Sequence, residues 1–377
     1  MKKIVLVYFD AGGGHRAATM ALRTVIEQQG RPWEVTALNL QEQLDPLDPF
    51  LKLTGIRLQD VYNRMLQRGW TLGSAQGLRA LHGLIRLFHG AMVRRLEAYW
   101  RESRPELVVS LVPNFSRALW QSLRNVAPEV PYVTILTDFA DYPPHFWMER
   151  QEQYFICGTE RAVEQAREMG HAAGRVFRVS GMILNPSFYE PCELDRSAER
   201  KGLGLEPERA TGLVMFGGAG SKVMLSIAER LERAELPVQL ILICGRNEKL
   251  AERLRGRRFR MPVYVEGFTR EVPRYMHVSD FFIGKPGPGS LAEAVQKELP
   301  VIVERNAFTL PQERYNCEWI LEKEVGLVLK SFRRIADAVR TLVEPATLER
   351  YRANTRQIRN RAVFEIPDVL AEILARG

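Results

Sequence analysis

The chain has 377 residues, of which 46% are hydrophobic and 26% charged, and a formal net charge of +8. This length exceeds what one hydrophobic core usually serves, so two domains are expected, and the composition excludes a disordered or fibrous protein. No run approaches the roughly 18 apolar residues that span a bilayer, and four scattered cysteines without a CxxC pair argue against a disulfide framework or zinc site, leaving a reduced, cytoplasmic protein as the expectation.

The N-terminus runs directly into an apolar strand at residues 4–9, with no signal-peptide pattern before it. Further strands are predicted at 34–38, 107–111, 132–137, 153–157 and 176–179, and a second series at 213–216, 240–244, 263–265, 281–283, 301–303 and 326–329. Helical patterns separate the strands, which implies parallel sheets of βαβ units. Unbroken apolar strands such as Val133-Thr134-Ile135-Leu136 suit sheets covered on both faces. The predicted fold class is α/β, with two doubly wound Rossmann-like domains facing a cleft and ligands beyond the carboxyl ends of the strands. Residues 180–191, with Gly181, Pro186 and Pro191, read as a linker. The expected domains are 1–185 and 192–346, followed by helices at 347–377 that break at Pro367 and pack back on the first domain.

Residues 50–104 do not fit the alternation. Between Lys52 and Arg104 ten bases stand against three acids, so nearly all the excess charge lies there. Leucines, Phe88 and arginines mix at helical spacing, as suits a helix in the interface of an anionic membrane. The plainer reading is a helical excursion packed on its own domain. A second basic cluster occupies 246–260. Nothing matches a nucleic-acid module, so no nucleic-acid partner is expected.

Four motifs follow strands. Asp10-Ala11-Gly12-Gly13-Gly14-His15 joins the first strand to a helix, where Gly13 and Gly14 bring backbone amides near an anion and His15 stands at the cleft mouth as a candidate general base. Phe216-Gly217-Gly218-Ala219-Gly220-Ser221 repeats that arrangement in the second domain. Gly284-Lys285-Pro286-Gly287-Pro288-Gly289-Ser290-Leu291-Ala292-Glu293 opens another helix, which Gly289 or Ser290 would cap; Glu293, near its first turn, would accept hydrogen bonds from vicinal ribose hydroxyls. Gln312, Glu313 and Asn316 cluster polar groups of the kind that sugar hydroxyls need. No two aspartates flank a single residue, so no metal site of the DxD kind is expected. Between residues 200 and 350 no two glutamates are separated by seven residues, which favours inversion over retention.

In this order the motifs resemble the family of monogalactosyldiacylglycerol synthases and processive diacylglycerol glucosyltransferases, relatives of the peptidoglycan lipid-intermediate N-acetylglucosaminyltransferase. The resemblance runs from Gly12-Gly13-Gly14-His15 to Pro311-Gln312-Glu313 and includes Leu136-Thr137-Asp138-Phe139, Ser180-Gly181-Met182-Ile183 and Val265-Glu266-Gly267-Phe268. It implies a GT-B fold and an inverting glycosyltransferase that needs neither metal nor cofactor. The donor would be UDP-galactose or UDP-glucose, and the acceptor a lipid, diacylglycerol first, at the cytoplasmic face of a membrane. Under it the first domain takes the acceptor and the second the UDP-sugar. His15 looks like the catalytic-loop histidine, and Asp138 like the acidic residue near the acceptor, the alternative base. Gly218 and Gly220 match the diphosphate loop, and Phe268 the main-chain contacts to uracil. Pro288, Gly289, Ser290 and Glu293 match the ribose-binding helix start, and Gln312 and Glu313 the donor-sugar pair. The sequence departs from the family pattern after Asp138 and at residues 306–310, which bears on acceptor and donor choice.

Three other readings compete. Gly287-Pro288-Gly289-Ser290-Leu291-Ala292 fits the GxGxxA form of a nicotinamide-binding turn, with Glu304 after the next strand, as in a dehydrogenase. A UDP-sugar epimerase would share the fold. A non-enzymatic membrane or nucleic-acid binder would use only the basic segment.

Overall fold

A computed structural model describes residues 1–10, 13–47, 74–142 and 146–376. Among these, twelve strands form two six-stranded sheets in which every pairing is parallel. The first sheet contains β1 (Lys2–Tyr8), β2 (Trp33–Asn39), β3 (Leu107–Ser110), β4 (Tyr132–Ile135), β5 (Tyr154–Cys157) and β6 (Val176–Arg178), ordered β2-β1-β3-β4-β5-β6. The second contains β7 (Ala210–Met215), β8 (Val238–Ile243), β9 (Val263–Glu266), β10 (Phe281–Gly284), β11 (Val301–Glu304) and β12 (Gly326–Leu329), ordered β12-β11-β10-β7-β8-β9. Strand order reverses between β1 and β3 in one sheet and between β7 and β10 in the other, and each reversal opens a crevice at the strands' carboxyl ends.

Helices cover both faces of each sheet. Helix Gly14–Gln28 lays Leu22 and Ile26 on one face of the first sheet, against Ile4, Leu6, Val109 and Ile135. The opposite face meets helix Ser116–Val126 and Met92, Val93, Leu96 and Trp100 of helix Ser74–Ser103. In the second sheet, helices Val223–Arg233, Glu248–Arg255 and Ile335–Leu342 cover one face, and helices Pro288–Gln296 and Arg314–Glu322 the other. β3, β4, β8 and β10 are buried at every residue, which is why they read as unbroken apolar runs.

Two expectations need correction. The tail does not break at Pro367, which sits inside helix Ala362–Arg376. The break precedes it: helix Pro345–Gln357 ends at extended Ile358, and Asn360 Oδ1 accepts a 3.1 Å hydrogen bond from the Ala362 amide to start the next helix. Nor does the whole tail pack on the first domain. Helix Pro345–Gln357 stays on the second sheet through Tyr351, and only the last helix returns, burying Ile366, Leu370 and Ile373 against β1 and β3. Finally, residues 48–73 of the basic segment lie outside the described residues, and the second half of helix Ser74–Ser103 belongs to the first domain's core rather than lying free. Its exposed face carries Arg86, Leu87, Arg94 and Arg95. Among the described residues, no helix is long and apolar enough to cross a membrane.

The chain passes between the halves twice. Residues 180–191 lead out, and residues 358–361 lead back beside them. Asn360 is buried where they meet and donates to the Met182 carbonyl at 2.8 Å, while the Arg361 amide donates to Ser180 Oγ at 2.7 Å. A Cβ on Gly181 would lie 2.6 Å from the Asn360 side chain, so this approach requires glycine.

Candidate active site

On the first sheet the loop after β1 turns at Gly13, whose φ of 81° favours glycine, into helix Gly14–Gln28; Ala11 and Gly12 lie outside the described residues. His15 is the second residue of that helix. Its Nδ1 lies 2.9 Å from Thr137 Oγ1, and its ring centre lies 5.8 Å from that of Trp147. Burial lowers the imidazole pKa to about 4, against the opposing pull of the Leu111 carbonyl, so His15 is neutral at physiological pH.

Asp138 follows β4 and is buried. Burial pushes its carboxyl up to about 7, opposed by the Trp147 indole N–H, which donates to Oδ2 at 2.8 Å. Oδ1 has no hydrogen-bond partner among the described residues. Nearby, the Trp147 amide donates to Asp141 Oδ1 at 2.8 Å, and burial raises Asp141 to about 6. The backbone of Asp141 is in turn tied to Gln165, which accepts from its amide at 2.8 Å and donates to its carbonyl at 3.1 Å. This loop is therefore held at several points, although Pro143, Pro144 and His145 lie outside the described residues.

On the second sheet the loop after β7 carries Gly218 and Gly220. Gly220 has φ 59°, and a Cβ there would sit 2.5 Å from the Cys244 carbonyl oxygen, so only glycine fits. The Gly218 carbonyl accepts from the Arg246 amide at 2.8 Å. A side chain at Gly14, Gly218 or Gly289 would meet nothing within 4 Å, so these positions border open space. After β9, Phe268 is 52% exposed and carries the Arg246 guanidinium 4.9 Å from its ring centre.

The loop after β10 leads into helix Pro288–Gln296. Its N-cap is Gly287, not Gly289 or Ser290, because Pro288, lacking an N–H and fixed in φ, suits the first helical position. Gly289 and Ser290 then occupy the first turn. Glu293, the helix's sixth residue, lies in the second turn and outside reach of a capping role. It is half-buried, and desolvation raises its carboxyl to about 7. With no hydrogen-bond partner among the described residues, it suits a ligand's hydroxyl groups. Glu313, buried after β11, accepts from Lys285 Nζ at 2.8 Å. Gln312 precedes it in the short helix Pro311–Glu313. Asn316 is wholly buried and donates to the Pro286 carbonyl at 2.7 Å, holding the loop after β10, while its Oδ1 has no partner among the described residues.

All the singled-out residues thus lie at or just beyond strand carboxyl ends, and those after β1, β7 and β10 lie at the two crevices. The halves meet there: Phe139 packs edge-on against Trp319 with ring centres 4.8 Å apart. The charges of Glu313 and Lys285 reach Asp138, the first raising and the second lowering its pKa. His15 and Asp138 share Trp147 as a neighbour. Sequence reasoning passed over Trp147, since eight residues separate it from Asp138 in a stretch without any helical or strand period in its sequence. It also gave no role to Lys285 or Arg246.

The dehydrogenase reading fails on topology, because its glycine turn belongs after the first strand of a doubly wound sheet and here follows the fourth. The cluster at 246–260 is partly neutralised within the fold: Arg257 pairs with Glu229 at 2.7 Å and with Glu232 at 3.2 Å.

Comparison with known proteins agrees with this geometry. Residues 15–181 match the model of the monogalactosyldiacylglycerol (MGDG) synthase family, and residues 213–361 that of the glycosyltransferase family 28 C-terminal domain. A probable monogalactosyldiacylglycerol synthase 2, chloroplastic, of Oryza sativa subsp. japonica is 29% identical over 97% of this chain and 79% of its own length. Among solved structures, MurG of Acinetobacter baumannii superposes with a TM-score of 0.62 at 12% identity, covering 99% of this chain and all of its own. The UDP-GlcNAc 2-epimerase of Neisseria meningitidis, bound to UDP-GlcNAc, also gives a TM-score of 0.62, at 14% identity with both chains fully covered. MurG and an epimerase thus superpose on this GT-B fold equally well, and the backbone alone does not choose a function.

Proposed function

We propose that this chain, whose residues 15–181 match the monogalactosyldiacylglycerol synthase family model and residues 213–361 the glycosyltransferase family 28 C-terminal domain, is a glycosyltransferase of that family that moves galactose or glucose from a UDP-sugar to diacylglycerol, with inversion and without a metal ion. The observation that carries this reading is the meeting of two unlike groups of side chains across the cleft. Asp138 and His15 stand on one side, and the glycine loop, Glu293 and the Lys285–Glu313 pair on the other.

The UDP-sugar binds the second half. Glu293 accepts from the ribose hydroxyls, the amides after β7 face the diphosphate, and the main chain at Phe268 meets the uracil. Gln312 and Glu313 hold the hexose. The acceptor hydroxyl enters beside Asp138, whose pKa near neutrality suits a general base. We assign His15, with its lowered pKa, to orienting that hydroxyl as a neutral hydrogen-bonding group. Asp138 Oδ1 takes the proton, the oxygen attacks the anomeric carbon, and the bond to the β-phosphate breaks. The charge left on UDP is met by backbone amides and by Lys285. The exposed arginines of helix Ser74–Ser103 support docking on an anionic membrane surface at the cytoplasmic face.

The test offers labelled UDP-galactose and UDP-glucose with diacylglycerol in vesicles, with and without EDTA. A β-linked hexosyldiacylglycerol formed equally under both conditions is expected. Turnover of the UDP-sugar without lipid would favour an epimerase instead.

A further inference from the structure

Trp147 touches both candidate catalytic groups and belongs to neither the nucleotide loops nor a regular element. The residue is 0% exposed. It is anchored by its own backbone, whose amide donates to Asp141 Oδ1 at 2.8 Å and whose carbonyl accepts from Ser116 Oγ at 3.4 Å. Its ring packs edge-on against Phe146, with centres 6.1 Å apart, and tilts against His15. The indole N–H, which can only donate, points at Asp138 Oδ2.

We propose that Trp147 is a positioning residue for the transfer step, holding the Asp138 carboxylate by one oxygen so that the other faces the acceptor hydroxyl. This rests on the reading of Asp138 as the base. An aromatic wall beside His15 needs only a ring, and phenylalanine would supply it. The hydrogen bond needs indole, and a buried N–H must be matched by an acceptor. A neutral donor to a carboxylate favours its charged form, so Trp147 works against burial. The other groups acting on Asp138 are Glu313 and Asp141, which raise its pKa, and Lys285, which lowers it. His15, close by, is neutral. Without the indole N–H the base would titrate at higher pH and its free oxygen would lose its fixed direction.

The experiment compares kcat/KM of wild type, Trp147→Phe and Asp138→Asn on UDP-galactose and diacylglycerol vesicles between about pH 5 and about pH 9. UDP binding reports that each variant is folded. In Trp147→Phe the acid limb should move up by about one pH unit or more. If Asp138→Asn is as active as wild type, the reading of Asp138 as base fails, whatever Trp147 does. If Asp138→Asn is inactive while Trp147→Phe gives a lower profile of unchanged shape, Trp147 is only packing and the proposal is overturned. Should Trp147→Phe not fold, the indole N–H signals of the six tryptophans in 15N-labelled wild type decide the matter. One should titrate with the midpoint of the kinetic profile and stop doing so in Asp138→Asn; if none does, the proposal is overturned.

Discussion

The two halves share one architecture and equip it differently. At the strand ends of the first sheet stand groups with displaced pKa values: half-buried His15 lowered, buried Asp138 and Asp141 raised, with one indole among them. The corresponding ends of the second sheet present backbone, in the turn through Gly220 and the start of helix Pro288–Gln296, with the half-buried Lys285–Glu313 ion pair and the Glu293 carboxylate, which has no hydrogen-bond partner among the described residues. The first arrangement suits moving a proton, and the second suits gripping a nucleotide without reacting with it. The same crevice geometry therefore serves chemistry or binding according to what its loops carry.

Several substitutions would break or sharpen that division. The largest effect is expected from Asp138→Asn, which should lower kcat by about 10²- to 10⁴-fold while UDP binds as before, measured by steady-state kinetics beside calorimetry. His15→Ala should cost about 10²-fold in kcat and likewise spare UDP, and unimpaired turnover would remove His15 from the mechanism. Glu293→Ala should do the reverse, weakening UDP by about 10- to 100-fold through lost charge-assisted hydrogen bonds, with kcat little changed at saturating donor.

pH separates the halves a second way. With Asp138 titrating near 7, activity at saturating UDP-sugar should fall as pH drops below neutrality. UDP affinity should also fall below neutrality as Glu293 protonates, and that dependence alone should vanish in Glu293→Gln. The smallest effect is expected from Gly220→Ala, whose strained φ and clash with the Cys244 carbonyl should cost about 1–3 kcal/mol, read as a lower Tm with weaker UDP binding and intact proton transfer.

Most of the framework was legible in the chain. All twelve strands fall where apolar runs predict them, most sharply β3, β4, β8 and β10, which are buried at every residue and have almost no polar residues to blur their limits. Helix limits were less visible. A proline was read as a stop at residue 367, whereas the structure seats it one turn into a helix whose start is set by Asn360. The start of helix Pro288–Gln296 was misplaced by two or three residues because Gly289 and Ser290 resemble caps, while Pro288 already occupies the first helical position. Glycine motifs marked the turns after β1 and β7 because positive φ, as at Gly13 and Gly220, leaves a trace in residue type. Trp147 left none, since its bond to Asp138 depends on how an irregular loop folds over the strand ends.

The double crossing stitched by Asn360 has a mechanical consequence. Two adjacent connections, bonded to each other through Met182, Ser180 and Arg361, act as a hinge pin. Such a pin would let the lobes swing about one line and would resist sliding or twisting apart. Opening would then be widest at the rim farthest from this pin and would separate Phe139 from Trp319. Each closing stroke would return Asp138 to the same face of the donor.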